Sequence, residues 1–120
     1  MPLRSNVVSI CPWFKVHPGK LSAFQALLPR LIEKTSAEAG CLFYDFTRKG
    51  DIIHCREAYL GAEGAMAHLQ NVGPIIAEAL TLSDIQRLEV HGSAAELEKM
   101  REPLKDMPIE WFVLEAALEK

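Results

Sequence analysis

The residue in this 120-residue chain best placed to do chemistry is His68, within the run Ala65-Met66-Ala67-His68-Leu69. Beside Ala65 and Leu69 on a helical apolar stripe, its imidazole could serve as a base or as a hydrogen-bond donor to a phenol, with its pKa tuned by partial burial. Glu57 and Tyr59 lie two apart in a strand pattern and so share one face of it. Glu57 could orient a histidine or accept a substrate proton. Tyr44 and Tyr59 could line a pocket and steady an aromatic ring by stacking or through their hydroxyls. Asn6, at the start of the first strand, could bind a substrate oxygen at the rim. Each has a plainer reading. A lone histidine can be satisfied by a neighbouring carboxylate or carbonyl, and Glu57 can pair with Arg56 or Arg87. The tyrosines can be core aromatics, and Asn6 can cap a strand end. Together these residues describe a small aromatic pocket with a titratable group and name no substrate.

Other chemistries find little support. The histidines stand at 17, 54, 68 and 91, with no i, i+4 pair and no cysteine in zinc spacing, so no metal site is expected. His54 and Cys55 are adjacent on a strand and point to opposite faces. Cys11, Cys41 and Cys55 form no CxxC pair, and Cys41 and Cys55 lack a nearby charge that would lower a thiol pKa. Gly61-Ala62-Glu63-Gly64 has neither the spacing nor the lysine of a phosphate loop.

The stretch 40–74 must position the candidates. Cys41 to Thr47 and Ile52 to Tyr59 read as two strands joined through Arg48-Lys49-Gly50-Asp51, a hairpin signal. Ala62 to Val72 follows as a helix with Ala62, Ala65, Met66, Leu69 and Val72 inward. Gly73-Pro74 is expected to stop it, with a second short helix from Ile75 to Leu80. Upstream, Asn6 to Val16 reads as a strand in which Pro12 implies an edge position or a bulge. Trp13 and Phe14 are expected at a rim or dimer contact, and His17 and His54 toward solvent or a dimer seam. Apolar residues at 21, 24, 27, 28, 31 and 32 predict a helix that Pro29 kinks or breaks and Gly40 closes. Downstream, Ile85 to His91 alternates as a strand. Ser93 to Glu96 is a capping box that opens a helix with Leu97, Met100 and Leu104 inward. Trp111 to Leu114 reads as a last short strand, before a tail over 115–120.

The order β-α-β-β-α(α)-β followed by α-β predicts an α+β fold, a ferredoxin-like split βαβ sheet with helices on one face and an extra C-terminal helix and strand. Residues 1–92 form the main unit and 93–120 an extension of the same domain. The strands are apolar on both parities, so the free sheet face needs a cover, which a homodimer would provide. Composition sets further bounds. Apolar content of 49% and charged content of 24% suit one soluble globular domain. A net charge of -3 without a basic stripe argues against a nucleic-acid partner. The apolar runs fall well short of the roughly 20 residues of a membrane span. The N-terminal MPLRSN lacks a small-residue cleavage site and is read as leading into a strand rather than as a signal peptide. Three cysteines, an odd number, fit a reducing cytoplasm.

GCLFYDF and HCREAYLGAEGAMAHL resemble the antibiotic-biosynthesis-monooxygenase (ABM) domain of the dimeric α+β-barrel superfamily. The matching positions are Gly40-Cys41, Tyr44, Glu57, Tyr59 and Ala65 to Leu69 with His68, and PGKLSAFQALLPRL is similar to that family's first helix. The resemblance spans roughly residues 6 to 92. It implies a homodimer and a cofactor-independent monooxygenase that oxidises a quinol-like or phenolic molecule with dioxygen, using neither flavin nor metal. His68 and Glu57 would be catalytic, and Asn6, Tyr44 and Tyr59 would bind substrate. Such chemistry asks the protein to bind an electron-rich aromatic, help deprotonate its hydroxyl and exclude water. The rival reading is a non-catalytic dimeric barrel that binds a hydrophobic metabolite or serves a stress response. A sister group degrades haem with an asparagine, a tryptophan and a histidine. Asn6 matches the first, but His68 stands at the tryptophan position and Glu78 near the histidine, which argues against haem breakdown.

Overall fold

The structure is a computed structural model and describes residues 4–119. The N-terminal residues 1–3 and Lys120 at the end of the expected tail lie outside that range. After a 3-10 turn at Arg4–Asn6 come β1 (Val7–Val16), α1 (Leu21–Gln25), α2 (Leu28–Ser36), β2 (Cys41–Lys49), β3 (Ile52–Leu60), α3 (Gly61–Leu82), β4 (Ser83–Gly92), α4 (Ala94–Arg101) and β5 (Glu110–Val113). The sheet order is β2-β3-β1-β4-β5. β3 lies between β1 and β2 and is antiparallel to both, and β4 is antiparallel to β1, which is the split βαβ arrangement. β5 adds to this chain's own sheet edge, parallel to β4.

The β2–β3 hairpin turns on Gly50 and Asp51 alone, between the paired Lys49 and Ile52. Gly50 has φ of 60°, as a two-residue turn with glycine first requires. The first helical stretch is broken rather than kinked. α1 ends at Gln25, and Pro29 falls in the opening turn of α2, where its missing N–H costs least.

Two proline expectations are corrected. Pro12 lies in the central strand, not at an edge, and β1 carries no bulge. The β1–β3 pairing passes from Ile10↔Glu57 to Trp13↔His54 without residues 11 and 12, so a missing amide is tolerated there. His54 Nδ1 donates to the Pro12 carbonyl at 2.7 Å. The nearby register shift belongs to β4, where Trp13↔Arg87 is followed by Phe14↔Ile85 and Gln86 is the additional residue. Pro74 does not end a helix, because α3 runs unbroken for 22 residues. Pro74 and Gln70 both face solvent, so water can satisfy the Gln70 carbonyl, while Val72, Ile75 and Ala79 hold the opposite face in the core.

The helices cover one sheet face. One core group joins Val8, Ile10, Tyr59 and Val90 with Ala62 and Ala65 of α3 and with Leu97, Met100 and Leu104 of the C-terminal extension. Phe14 also lies in the core, against Phe24 at 5.4 Å between centroids, and is neither rim nor surface contact. The capping box forms by half. Ser93 Oγ accepts from the Glu96 amide at 3.2 Å, whereas the Glu96 carboxylate turns away from Ser93. It accepts from the Ala62 amide at 2.8 Å and so caps α3 instead.

Because Leu97 is fully buried, Leu97→Ala is expected to cost about 2–5 kcal/mol in urea unfolding, within a single transition shared by the whole chain. A separate early transition for residues 93–119 would show that the extension is an independent appendage.

Candidate functional site

His68, Glu57, Tyr59 and Tyr44 come together; Asn6 does not join them. His68 projects from α3 and is only 2% exposed. Glu57 and Tyr59 point from β3 toward the helices, and Tyr44 stands beside Glu57 on β2. The Tyr44 ring meets His68 edge-on at 5.0 Å, and the Tyr59 ring lies 4.7 Å away. Asn6 is exposed in the turn before β1, outside the set of side chains that line the cavity below.

The residue that fixes His68 is Glu38, in the connection between α2 and β2. His68 Nδ1 lies 3.0 and 3.1 Å from the two Glu38 carboxylate oxygens. A carboxylate can only accept, so the proton sits on Nδ1 and Nε2 is left with its lone pair. Asn71, one turn after His68, donates to Glu38 Oε2 at 2.8 Å and to the Lys34 carbonyl at 3.0 Å. His68 Nε2 faces Glu57 Oε1 at 3.4 Å. The Tyr59 hydroxyl donates to the same Glu57 oxygen. Neither arginine expected beside Glu57 pairs with it: Arg56 pairs with Asp45, and Arg87 with Glu89 and Glu110. Sequence reasoning passed over Glu38, which lies outside any regular element. The available signal was a carboxylate two residues before Gly40, which does not close the helix as expected, since α2 ends at Ser36 with Ala37 as its cap.

Burial sets the ionisation. It pushes Glu57 up to about 7, against the Tyr59 hydrogen bond, which holds it down. It pulls His68 below its ordinary value, although Glu38 opposes that shift. Burial, followed by the Glu57 charge, raises Tyr59 and Cys55 well above their usual ranges, and burial raises Tyr44 likewise. Near neutral pH the site thus offers an imidazole with an open Nε2 beside a carboxyl that still carries part of its proton.

These groups border a cavity of about 60 Å³ under α3. Its floor crosses four strands: Tyr44 and Phe46 of β2, Cys55 and Glu57 of β3, Ile10, Pro12 and Phe14 of β1, and Ile85 and Leu88 of β4. Leu69, Val72 and Ile76 of α3 form the roof, and Met107 also lines the cavity. The polar groups gather at the β2–β3 end and the remainder is apolar. Among the described residues, no group of three or more His, Cys, Asp or Glu side chains is placed to hold a metal ion. No helix among them is long and apolar enough to cross a membrane.

Residues 13–54 match the family model for antibiotic biosynthesis monooxygenase. The crystal structure of MupZ from Pseudomonas fluorescens shares 41% identity over 96% of this chain and 95% of its own, with a TM-score of 0.91. The chain belongs to the antibiotic biosynthesis monooxygenase family. Rv0793 from Mycobacterium tuberculosis is 27% identical over 70% of this chain and 89% of its own, with a TM-score of 0.61. SnoaB, a cofactor-independent oxygenase from Streptomyces nogalater, is 15% identical over 74% of this chain and 94% of its own, with a TM-score of 0.63, a likeness of fold alone. No curated protein matches the chain.

The two ionisations pull stability in opposite directions. Glu57, raised in the fold, binds its proton more tightly there than in the unfolded chain, so its contribution is present at low pH and fades as pH rises toward about 7. His68, lowered in the fold, contributes above its unfolded value near 6.5 and loses that contribution as pH falls. Glu57→Gln mimics the protonated acid, so its stability relative to the parent should be higher at pH 8 than at pH 5 in urea unfolding. An equal difference at both pH values would mean that Glu57 titrates as an ordinary surface carboxylate.

Proposed function

We propose that the chain catalyses proton-coupled oxidation of a phenolic or quinol-like small molecule by dioxygen without a bound cofactor. The observation that carries this reading is the open Nε2 of His68, its tautomer held by Glu38, beside Glu57 at the polar end of an apolar cavity. His68 would take the substrate hydroxyl proton, and the Glu57 carboxyl, in its protonated form, would hydrogen-bond the resulting oxyanion. The phenolate is the electron donor. For a naphthol, the hydroxyl carbon and one ring C–H carbon both become carbonyls. One oxygen atom enters the ring, and the other leaves as water with the two hydrogens released. Dry, apolar walls favour this reaction because they exclude competing protonation by bulk water.

The same pair also favours a second reading. A carboxyl near half-protonation beside a neutral imidazole is an acid and a base in one site, sufficient for an isomerisation or hydrolysis that needs no dioxygen.

A homodimer goes with either reading. The row Phe43, Ala58, Ser9, His91 and Phe112 crosses all five strands on the face away from the helices. Phe43 and Phe112 are 52% and 40% exposed there, and a second copy of the sheet would cover them.

Oxygen uptake with a panel of quinols and naphthols, with catalase present and no flavin or metal added, tests the oxidation. Turnover is expected to fall about 10²–10⁴-fold in His68→Ala, with a dimer retained by light scattering. No uptake, but deuterium incorporation into the naphthol ring in oxygen-free D2O, would favour the acid–base reading. Saturable binding with neither reaction would favour a non-catalytic metabolite binder.

A further inference from the structure

We propose that the groove between α2 and the edge strand β2 binds the aromatic body of the ligand, and that the Tyr44 ring is a movable partition through which the ligand's reactive hydroxyl reaches His68. That hydroxyl is the phenolic group of the reading above; the groove stands on geometry alone. The cavity under α3 measures about 60 Å³. An apolar space of about 150 Å³ is the size that takes up one benzene, so the cavity as it stands does not hold a ring. His68 and Glu57 are both buried, and a ligand reaches them only where a wall gives way.

The groove beside β2 holds about 230 Å³, enough for a ring. Ile32, Thr35 and Ser36 of α2 line it, together with residues 41–44 of β2. Tyr44 is the one residue that borders both this groove and the cavity under α3. Its half-buried ring meets His68 on the inner side, and β2 is the last strand of the sheet, so no further strand backs it. Leu42 is the additional residue where the β2–β3 register shifts between Cys41 and Phe43, a bulge that re-aims the strand edge. Ile32 and Leu42, 48% and 40% exposed, give the groove an apolar rim.

Thr35 points independently to a ligand. It is 3% exposed, and among the described residues its Oγ1 has no hydrogen-bond partner. Buried hydroxyls are ordinarily paired. Burial raises the Tyr44 hydroxyl above its ordinary range and Thr35 opposes that rise, so the two hydroxyls are neighbours that do not complete a bond. An oxygen substituent on a ring in the groove would give Thr35 its partner. The ligand class is therefore an aromatic with two oxygen substituents, one for Thr35 and one for His68. Two other walls are candidates for entry. Phe46 also borders a groove near Gln25 and Leu28, but that space is about 80 Å³, again below ring size. Met107, partly exposed, is the competing route.

The test is oxygen-free titration of the purified chain with 2-naphthol and with dihydroxynaphthalenes, followed by ¹H–¹⁵N spectra of the backbone and of the His68 imidazole. The amides of Ile32, Thr35 and Leu42 and the His68 ring should shift together, with one dissociation constant. Ile32→Trp, a surface change that fills the groove, should abolish both sets of shifts with little change in thermal unfolding, whereas Met107→Trp should leave them as they are. Thr35→Val should weaken dihydroxynaphthalene binding about two- to tenfold and spare 2-naphthol. Stopped-flow association should be faster in Tyr44→Ala, where the two spaces join, than in the parent. Equal rates would overturn the partition. Groove shifts that Ile32→Trp abolishes, with the His68 ring silent even in Tyr44→Ala, would keep the groove as a binding site and overturn the phenolic reading. His68 shifts lost in Met107→Trp but kept in Ile32→Trp would leave that reading standing and overturn the groove, as would groove amides silent to every probe.

Discussion

The site depends on a close approach between two pieces of backbone. Gly64, in the first turn of α3, lies against Gly40 at the end of the α2–β2 connection. A Cβ on Gly64 would stand 3.1 Å from the Gly40 carbonyl and 3.3 Å from Tyr59 Cβ, and a Cβ on Gly40 would stand 3.1 Å from Gly64 Cα. Neither neighbour is a flexible side-chain tip that could swing aside. His68 follows Gly64 by four residues and so projects from the same face of the helix. Glu38 precedes Gly40 by two. Two missing side chains thus bring an imidazole and a carboxylate from distant parts of the chain to 3.0 Å. Asn71 then ties that carboxylate to both helices through the Lys34 carbonyl.

Such an arrangement is expensive as architecture. Tyr59, Glu57, His68 and Glu38 form a polar chain beneath a helix whose neighbouring positions are apolar, and among the described residues no arginine or lysine joins it. Burying a carboxylate without a cationic partner is unfavourable unless it neutralises, which Glu57 does by holding its proton to about pH 7. A packed leucine or phenylalanine in its place would commonly cost nothing or add stability. Stability alone therefore does not account for this chain of groups. Their convergence at one end of a cavity, with Nε2 unoccupied by any strong donor, is the arrangement that acid–base chemistry requires.

Much of this was legible in the residues because local chemistry and final environment agree. The hairpin signal around Arg48-Lys49-Gly50-Asp51 and the apolar stripe around His68 each specify an element without reference to anything distant. The features that escaped were decided by partners far along the chain. Pro12 looks like an edge residue in isolation, yet the central strand accepts it because pairing to β3 lapses there and His54 bonds its carbonyl. Pro74 looks like a stop, yet the buried stripe on either side of it holds α3 together. Glu96 reads as half of a local capping box but caps another helix, 34 residues away. Glu38 had no periodic pattern to mark it. Its role follows from the Gly40–Gly64 approach, which two isolated glycines do not announce.

The same division runs through the cavity. The groups that can move protons sit on β3, on α3 and in the α2–β2 connection, and their geometry is set by backbone contact and by burial. The segment after β4, which adds Met107 to the cavity lining, is fastened through Leu97, Met100 and Leu104 to the same core. Changes there can alter the space available to a ligand without moving Glu38, His68 or Glu57, because no hydrogen bond links Met107's side chain to that polar chain among the described residues. The acid–base groups and Met107 are thus held by different stretches of sequence and joined only by packing. A fold built this way can keep its acid–base end fixed while the segment after β4 varies what fits beside it.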